Sequence, residues 1–237
     1  MAKLCLVIPM WRRYSLTNHL LTYYHGMKVD GVDITIVAVG SEGSVSRQIA
    51  RGLEYVEADN HPLDAKYDAG IAYCKKFDPD AVCLIGSDDF ITAAYWSWAM
   101  YQVASGCDLA GLLDFYVADM QRGRVLYWGG YNSSERQGES IAAGRVYSRR
   151  ILNKVAWRPY WTERGYLSIC RDDERALANV RNRGGNVKSV NMAAIGCQYW
   201  AVKTGDEFNT VDAFESQYPT VTITDHSWLL FRTETGL

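Results

Sequence analysis

No stretch of this 237-residue chain approaches the ~18 consecutive apolar residues that a membrane-spanning helix requires. Its six cysteines (Cys5, Cys74, Cys83, Cys107, Cys170, Cys197) include no CxxC pair. That argues against a zinc site or disulfide frame, and for reduced core thiols in a cytoplasmic protein. A formal net charge of −2 leaves no electrostatic footprint for strong, non-specific nucleic-acid binding. No G-x-G-x-x-G follows the first apolar segment, which counts against a Rossmann-type dehydrogenase. The turn after that segment, IPMWRRYS, has no glycine at all, which counts against nucleotidyl transfer through a Gly-rich phosphate turn. There is no internal repeat, low-complexity run or evident linker. The opening MAKLCLVIPMWRR has a short apolar run followed by charge, so no signal peptide is expected.

What is present is a sizeable core. The chain is 48% hydrophobic, which makes global disorder untenable. Its first half alternates. KLCLVIP reads as a strand. SLTNHLLTYYHGM places Leu16, Leu20, Tyr23, Tyr24 and Met27 on one helical face behind Ser15 as N-cap. VDITIVAVG is a second strand. SVSRQIARGLEYV is expected as a helix with Val45, Ile49 and Leu53 inward behind Ser44, and LDAKYDAGIAYCKKF as another with Tyr67, Ile71 and Cys74 inward. The strand AVCLIG follows. Such alternation predicts an α/β fold: a central, mostly parallel sheet with helices on both faces. Ligands of such sheets sit beyond the C-terminal strand ends. Pro9-Met10-Trp11, Gly40-Ser41-Glu42 and Ser87-Asp88-Asp89 all fall at such ends and are expected to meet on one rim.

The second half is less regular. AAYWSWAMYQVA and RDDERALANVRNRG read as helices, the latter opening on carboxylates and closing at Gly184-Gly185. DLAGLLDFYVAD and RVLYWGGYN read as strands joined near Arg122-Gly123. GRVYSRRILNKV reads as a helix ended before Pro159, and NVKSVNMAAIG as strand-like.

The segment DAVCLIGSDDFI poses the sharpest chemical question. A buried apolar run ends in two adjacent carboxylates, Asp88 and Asp89, whose charges disfavour each other unless something compensates them. A divalent cation would do so. The alternative is that Asp88 caps a following helix and Asp89 is solvated.

Taken together, LCLVIPMWRR, ITIVAVGSEGS, LDAKYDAGIAYC, CLIGSDDF and RDDERALANVRNRG resemble, in order and spacing, the motifs of family 2-like glycosyltransferases of the GT-A fold, over roughly residues 3–185. The resemblance implies one GT-A-like domain over 1–237. About 1–115 would bind the nucleotide-diphosphate sugar, and about 116–237 would supply the acceptor half and a C-terminal extension. It implies transfer of a sugar to an acceptor hydroxyl, with inversion and with Mn²⁺ or Mg²⁺. A non-catalytic nucleotide- or sugar-binding module and a nucleotidyltransferase are the alternatives. Where that family has D-x-D, this chain has Ser87-Asp88-Asp89, and Asp68 stands where Asn is common.

By that resemblance Asp89 and Asp88 are the metal ligands, with His226 as a further one. Asp173, or else Asp172, is the base that deprotonates the acceptor, and Glu174 is a weaker candidate. Pro9, Met10, Arg12, Arg13, Glu42, Lys66, Asp68, Ser87 and Asp88 would surround the nucleotide. Arg suits bidentate contact with phosphate oxygens, and each of these residues has an ordinary surface or loop alternative.

The 8 Trp and 16 Tyr fill a core or line a site for flat rings and sugar faces. Trp128, Tyr131, Trp157, Tyr160 and Trp161 are the candidates, and YWGGYN is the expected acceptor loop. The acceptor is expected to be a glycan or another soluble molecule. Small soluble enzymes of this look also occur among bacteriophages, where some glucosylate modified DNA bases. RVYSRR and RNRGGNVK would be the local positive charge for that acceptor, and a solvated surface is the favoured reading of both.

Overall fold

The structure, a computed structural model, describes residues 1–162, 165–166, 172–205, 211–223, 232 and 235. The chain runs β1 (Ala2–Pro9), α1 (Tyr14–Gly26), β2 (Val32–Gly40), α2 (Ser44–Ile49), β3 (Glu54–Glu57), α3 (Leu63–Tyr73), β4 (Ala81–Leu84), β5 (Asp89–Ile91) and α4 (Ala93–Ala104). It continues through β6 (Leu109–Leu112), β7 (Phe115–Asp119), β8 (Arg124–Trp128), β9 (Val146–Ser148), α5 (Arg149–Lys154) and α6 (Asp172–Asn182). Last come β10 (Val187–Val190), α7 (Met192–Ile195), β11 (Tyr199–Lys203), α8 (Val211–Gln217) and β12 (Val221–Ile223).

Seven strands form the main sheet in the order β10-β6-β9-β4-β1-β2-β3. Every neighbour pair is parallel except those of β9, which runs antiparallel between β4 and β6. The period of two along β1 explains the layering. Leu4, Leu6 and Ile8 face one core with Leu20 and Tyr24 of α1 and Trp96 of α4. Cys5 and Val7 face the other, with Ile71 of α3, Ile151 of α5 and Leu177 of α6. Helices therefore cover both faces, as alternation predicts. Gly70 lets α3 come close: a Cβ there would run into Val7 and Val39. The five described cysteines are free and buried, as expected of core thiols. Among the described residues no helix is long and apolar enough to cross a membrane.

A second sheet, β12-β8-β7-β11-β5, grows from the end of β4. β5 starts at Asp89, directly after the turn, and pairs antiparallel with β11 so that Ala201 faces Asp89. β7 and β8 form the expected hairpin.

DLAGLLDFYVAD divides into β6 and β7, in different sheets, and NVKSVNMAAIG into β10 and α7. Three further expectations need correction. α1 begins at Tyr14 with Arg13 at the N-cap position, not Ser15, because Arg12 and Arg13 both take positive φ (53° and 46°) and turn the chain two residues earlier. α2 is capped by Gly43 and ends at Ile49, with Val45 exposed, and the EYV expected to finish that helix is β3, paired with β2. GRVYSRRILNKV is split, with Val146–Ser148 forming β9 and only Arg149–Lys154 helical. In the second and third cases pairing with a distant strand overrides a local helical period.

Candidate functional site

Each of the three rim segments is tied to another by side chains. Arg13 donates to Ser87 Oγ (2.7 Å) and lies 2.9 Å from Asp88 Oδ2, joining the ends of β1 and β4. Lys66 of α3 donates to the Met10 carbonyl (2.7 Å), Ser41 Oγ (3.0 Å) and Asn60 Oδ1 (3.0 Å), joining the ends of β1, β2 and β3. Glu42 accepts from the Arg12 backbone N–H (2.9 Å) and the Tyr14 hydroxyl (2.8 Å). The rim is thus one connected polar network. Two consecutive non-glycine residues in the left-handed region cost of order 1–3 kcal/mol each, and here that strain puts Arg13 on Ser87 and Asp88.

Asp88 and Asp89 are 8% and 6% exposed, so neither is the solvated acid of the simplest reading. Neither caps a helix, because β5 follows them and α4 begins only at Ala93. Asp89 turns back into the protein. Its Oδ2 accepts from the Gly86 N–H (2.9 Å) and its Oδ1 from the Tyr199 hydroxyl (2.9 Å). Burial and the neighbouring Asp88 push its carboxyl above the usual range. Asp88 behaves oppositely. Burial opposes its ionisation, but Lys203 (Nζ to Oδ2, 2.6 Å) and Arg13 outweigh that and hold its carboxyl below the usual range. The charges that compensate the two acids are therefore side chains of this chain.

Lys203 was missed in the sequence. It is 115 residues from Asp88, at the end of the run YWAVK. The available signal was the rule already applied to Asp88: an apolar strand that stops on a single charge delivers it to a sheet end. β11 places it there, and the Val202 N–H donates to the Asp88 carbonyl (2.8 Å) to lock the register.

Asp88, Asp89 and Lys203 border a cleft of ≈ 780 Å³. Its floor includes Pro9, Gly86, Asp88, Asp89, Tyr199 and Lys203. Its lining is also aromatic, with Phe115, which stacks on Tyr199, and Trp128, Tyr131, Phe214 and Tyr218. Trp128 meets Phe115, Tyr131, Phe214 and Tyr218 edge-on at 4.9–5.9 Å between ring centres. Arg136 lies over the Tyr131 ring (3.5 Å) and pairs with Glu174 (3.1 Å), and both line the cleft. Of the other aromatic candidates, Tyr160 lines the cleft, Trp157 is packed in the second core, and Trp161 is exposed.

The remaining expected residues fall as follows. Met10 buries its side chain in the core and offers only its carbonyl, to Lys66. Lys66 and Asp68 are each 1% exposed, so neither lies on a polar helix face. Burial lowers Lys66 to about 8 and raises Asp68 to about 8. Asp68 accepts from the Tyr160 N–H (3.1 Å). Arg12 stacks on Trp11 (4.3 Å) at the exposed edge of the rim. Asp172 and Asp173 open α6, with their side chains outside the described residues, and His226 lies outside them altogether. The basic side chains of RVYSRR and RNRGGNVK are used internally: Arg145 on Ser140, Arg149 on the Pro79 carbonyl, Arg150 on Asp108, Arg181 on Glu139 and Lys188 on Gln102.

Among the described residues no group of three or more His, Cys, Asp or Glu side chains is placed to hold a metal ion. Mg²⁺ and Mn²⁺ take hard oxygen ligands and gain from carboxylate charge that is not already neutralised. Here two acids meet two side-chain cations, and both oxygens of Asp89 are engaged by Gly86 and Tyr199. As arranged, the pair does not fit a divalent cation.

No protein-family model matches this chain, and no curated protein matches it. Solved structures do. TarS 1–349 from S. aureus in complex with UDP superimposes with a TM-score of 0.58 at 13% identity, over 85% of this chain and 60% of that one. The mannosyltransferase PcManGT from Pyrobaculum calidifontis, in complex with GDP-Man and Mn²⁺, gives 0.57 at 10% identity, over 86% of this chain and 57% of that one. CMP:2-keto-3-deoxy-manno-octonic acid synthetase complexed with CTP gives 0.51 at 14% identity, over 91% of this chain and 97% of that one. The chain thus spans about three fifths of the first two. Its fold is that of the GT-A-type nucleotide-sugar transferases.

Proposed function

We propose that this protein transfers a sugar from a nucleotide-diphosphate sugar to an acceptor hydroxyl. The observation that carries the reading is the rim itself. The ends of β1, β2 and β4 are bound to one another through Arg13, Lys66 and Glu42, and those of β1 and β4 open on a cleft with an aromatic lining. Donors of this class are bound by TarS, whose complex with UDP-GlcNAc superimposes with a TM-score of 0.58, and by PcManGT.

In this reading the nucleoside lies over Pro9, Trp11, Arg12 and Glu42, with Lys66 holding the strand ends beneath it and Asp68 holding the Tyr160 backbone nearby. The diphosphate lies at Ser87 and Asp88, where Arg13 supplies oxyanion contacts. A sugar face packs on Trp128 and Tyr131, beside YWGGYN, and the acceptor is a glycan or another soluble hydroxyl compound. The internal use of the Arg and Lys side chains in RVYSRR and RNRGGNVK weighs against DNA as acceptor. The base belongs to the first turn of α6. Asp173 and Asp172 are the family's candidates, and Glu174 is the acid there that lines the cleft. Such a carboxylate takes the acceptor proton as the hydroxyl attacks the anomeric carbon, and attack opposite the leaving group inverts that carbon. Mn²⁺ or Mg²⁺ is the counter-ion that the family resemblance implies. Asp88 and Asp89 as they stand do not offer it a site, so no step of the transfer is assigned to it.

Nucleotidyl transfer is the second reading, favoured by the 97% coverage of the synthetase. The glycine-free turn after β1 opposes it. Calorimetric titration with UDP, GDP, dTDP, CMP and CTP, and with their sugar conjugates, separates the two. Binding of one nucleoside diphosphate and its sugar supports transfer of a sugar. Preference for CTP over every diphosphate supports nucleotidyl transfer, and no binding at all removes both.

A further inference from the structure

We propose that Lys203, together with Arg13, is the built-in counter-ion for the donor's diphosphate, so that the donor binds without a divalent cation. The inference rests on the nucleotide-sugar reading of the cleft and adds to it a residue and a charge source.

The geometry carries it. Lys203 sits on the cleft floor with its side chain 15% exposed, and its ammonium meets Asp88 Oδ2 at 2.6 Å. That bond uses one of three N–H donors. The Lys203 ammonium makes no other hydrogen bond among the described residues, so two donors remain for a ligand in the cleft. Arg13 reaches the same Asp88 oxygen from the opposite strand end and also holds Ser87. Asp88 is thereby the common anchor of two cations from segments far apart in sequence.

A divalent cation entering here would add charge to a cluster that is already balanced, beside an ammonium and a guanidinium. A diphosphate would instead bring negative charge to the Lys203 ammonium, which still has directed donors. Charge-assisted N–H···O contacts to phosphate are short and strong, and stabilise the leaving group as negative charge builds on it. The backbone supports this role. Pairing of Ala201 with Asp89, and the Val202 N–H on the Asp88 carbonyl, fix Lys203 to the same rigid strand pair as the acid it meets.

The test is calorimetric titration of UDP and GDP, and of UDP-GlcNAc and GDP-mannose, onto the full chain. It is run in EDTA and in Mn²⁺, for the native protein, Lys203→Met and Lys203→Arg. The expected result is binding in EDTA within about threefold of that in Mn²⁺, a loss of at least about tenfold in Lys203→Met, and recovery in Lys203→Arg. The native protein alone decides the metal question if Lys203→Met does not fold, as judged by circular dichroism. Binding that needs Mn²⁺, or that Lys203→Met leaves unchanged, overturns the inference while keeping the donor site. Absence of binding by every nucleotide in both conditions overturns the inference together with the reading beneath it.

Discussion

The Tyr199 hydroxyl donates to Asp89 Oδ1 at 2.9 Å, from β11 onto the first residue of β5. A buried carboxylate is thus held by a strand that arrives 110 residues later. Removing that hydroxyl leaves the acid one partner short. Tyr199→Phe is expected to lower stability by about 1–3 kcal/mol, measured by urea denaturation, with the fold retained.

Gly86 and Asp89 share one tight turn. A Cβ at residue 86 would collide with the Asp89 carboxylate that Gly86 itself holds. Gly86→Ala is expected to cost about 1–3 kcal/mol and to weaken donor binding, because the turn must open beside Asp88. Unchanged donor affinity in calorimetry would show that the turn is structural only.

Lys66 bridges three strand ends through three hydrogen bonds and is almost fully buried. Lys66→Met keeps the aliphatic stem and strands three acceptors. A loss of about 2–4 kcal/mol is expected, with chemical shifts moving at Met10, Ser41 and Asn60 together.

Asp68 makes stability depend on pH in a calculable direction. Burial raises its carboxyl from 3.8 to about 8 in the folded chain. Between those values the unfolded chain has lost the proton that the folded chain keeps. Its contribution is therefore full below about pH 4 and falls as pH rises toward about 8, at no more than about 1.4 kcal/mol per pH unit. Asp68→Asn removes this dependence. Thermal melts at pH 5 and pH 8 are expected to show the variant gaining on the native protein as pH rises, whereas a constant difference would contradict the shift.

Much of the main sheet was legible because its signals are local. The runs in KLCLVIP, VDITIVAVG and AVCLIG are apolar and stop on Gly, Pro or charge, so strand ends and rim residues follow directly. Arg13, Glu42, Lys66 and Asp88 do meet at that rim. What escaped was set by distant partners. β9 is three residues that pair between β4 and β6, hidden in a helical period. β3 is polar enough to pass for a helix end. The compensation of Asp88 was legible as a need, but not its source, because Lys203 comes from the second sheet. For Lys66 and Asp68 a nucleotide role and a polar helix face stayed open, because nothing local shows that α3 buries Lys66 against the strand ends and Asp68 against Tyr160.

The central claim, that this fold moves a sugar, is tested most directly by release of nucleoside diphosphate from the sugar nucleotide that binds, with water or an added glycan pool as acceptor. The account predicts steady release by the native protein. It also predicts a loss of at least about 100-fold in Glu174→Gln or Asp173→Asn with donor affinity kept, since a positioned base contributes on that scale. Tight binding of the sugar nucleotide by folded protein, with no release under any acceptor, would contradict it and leave a binding module.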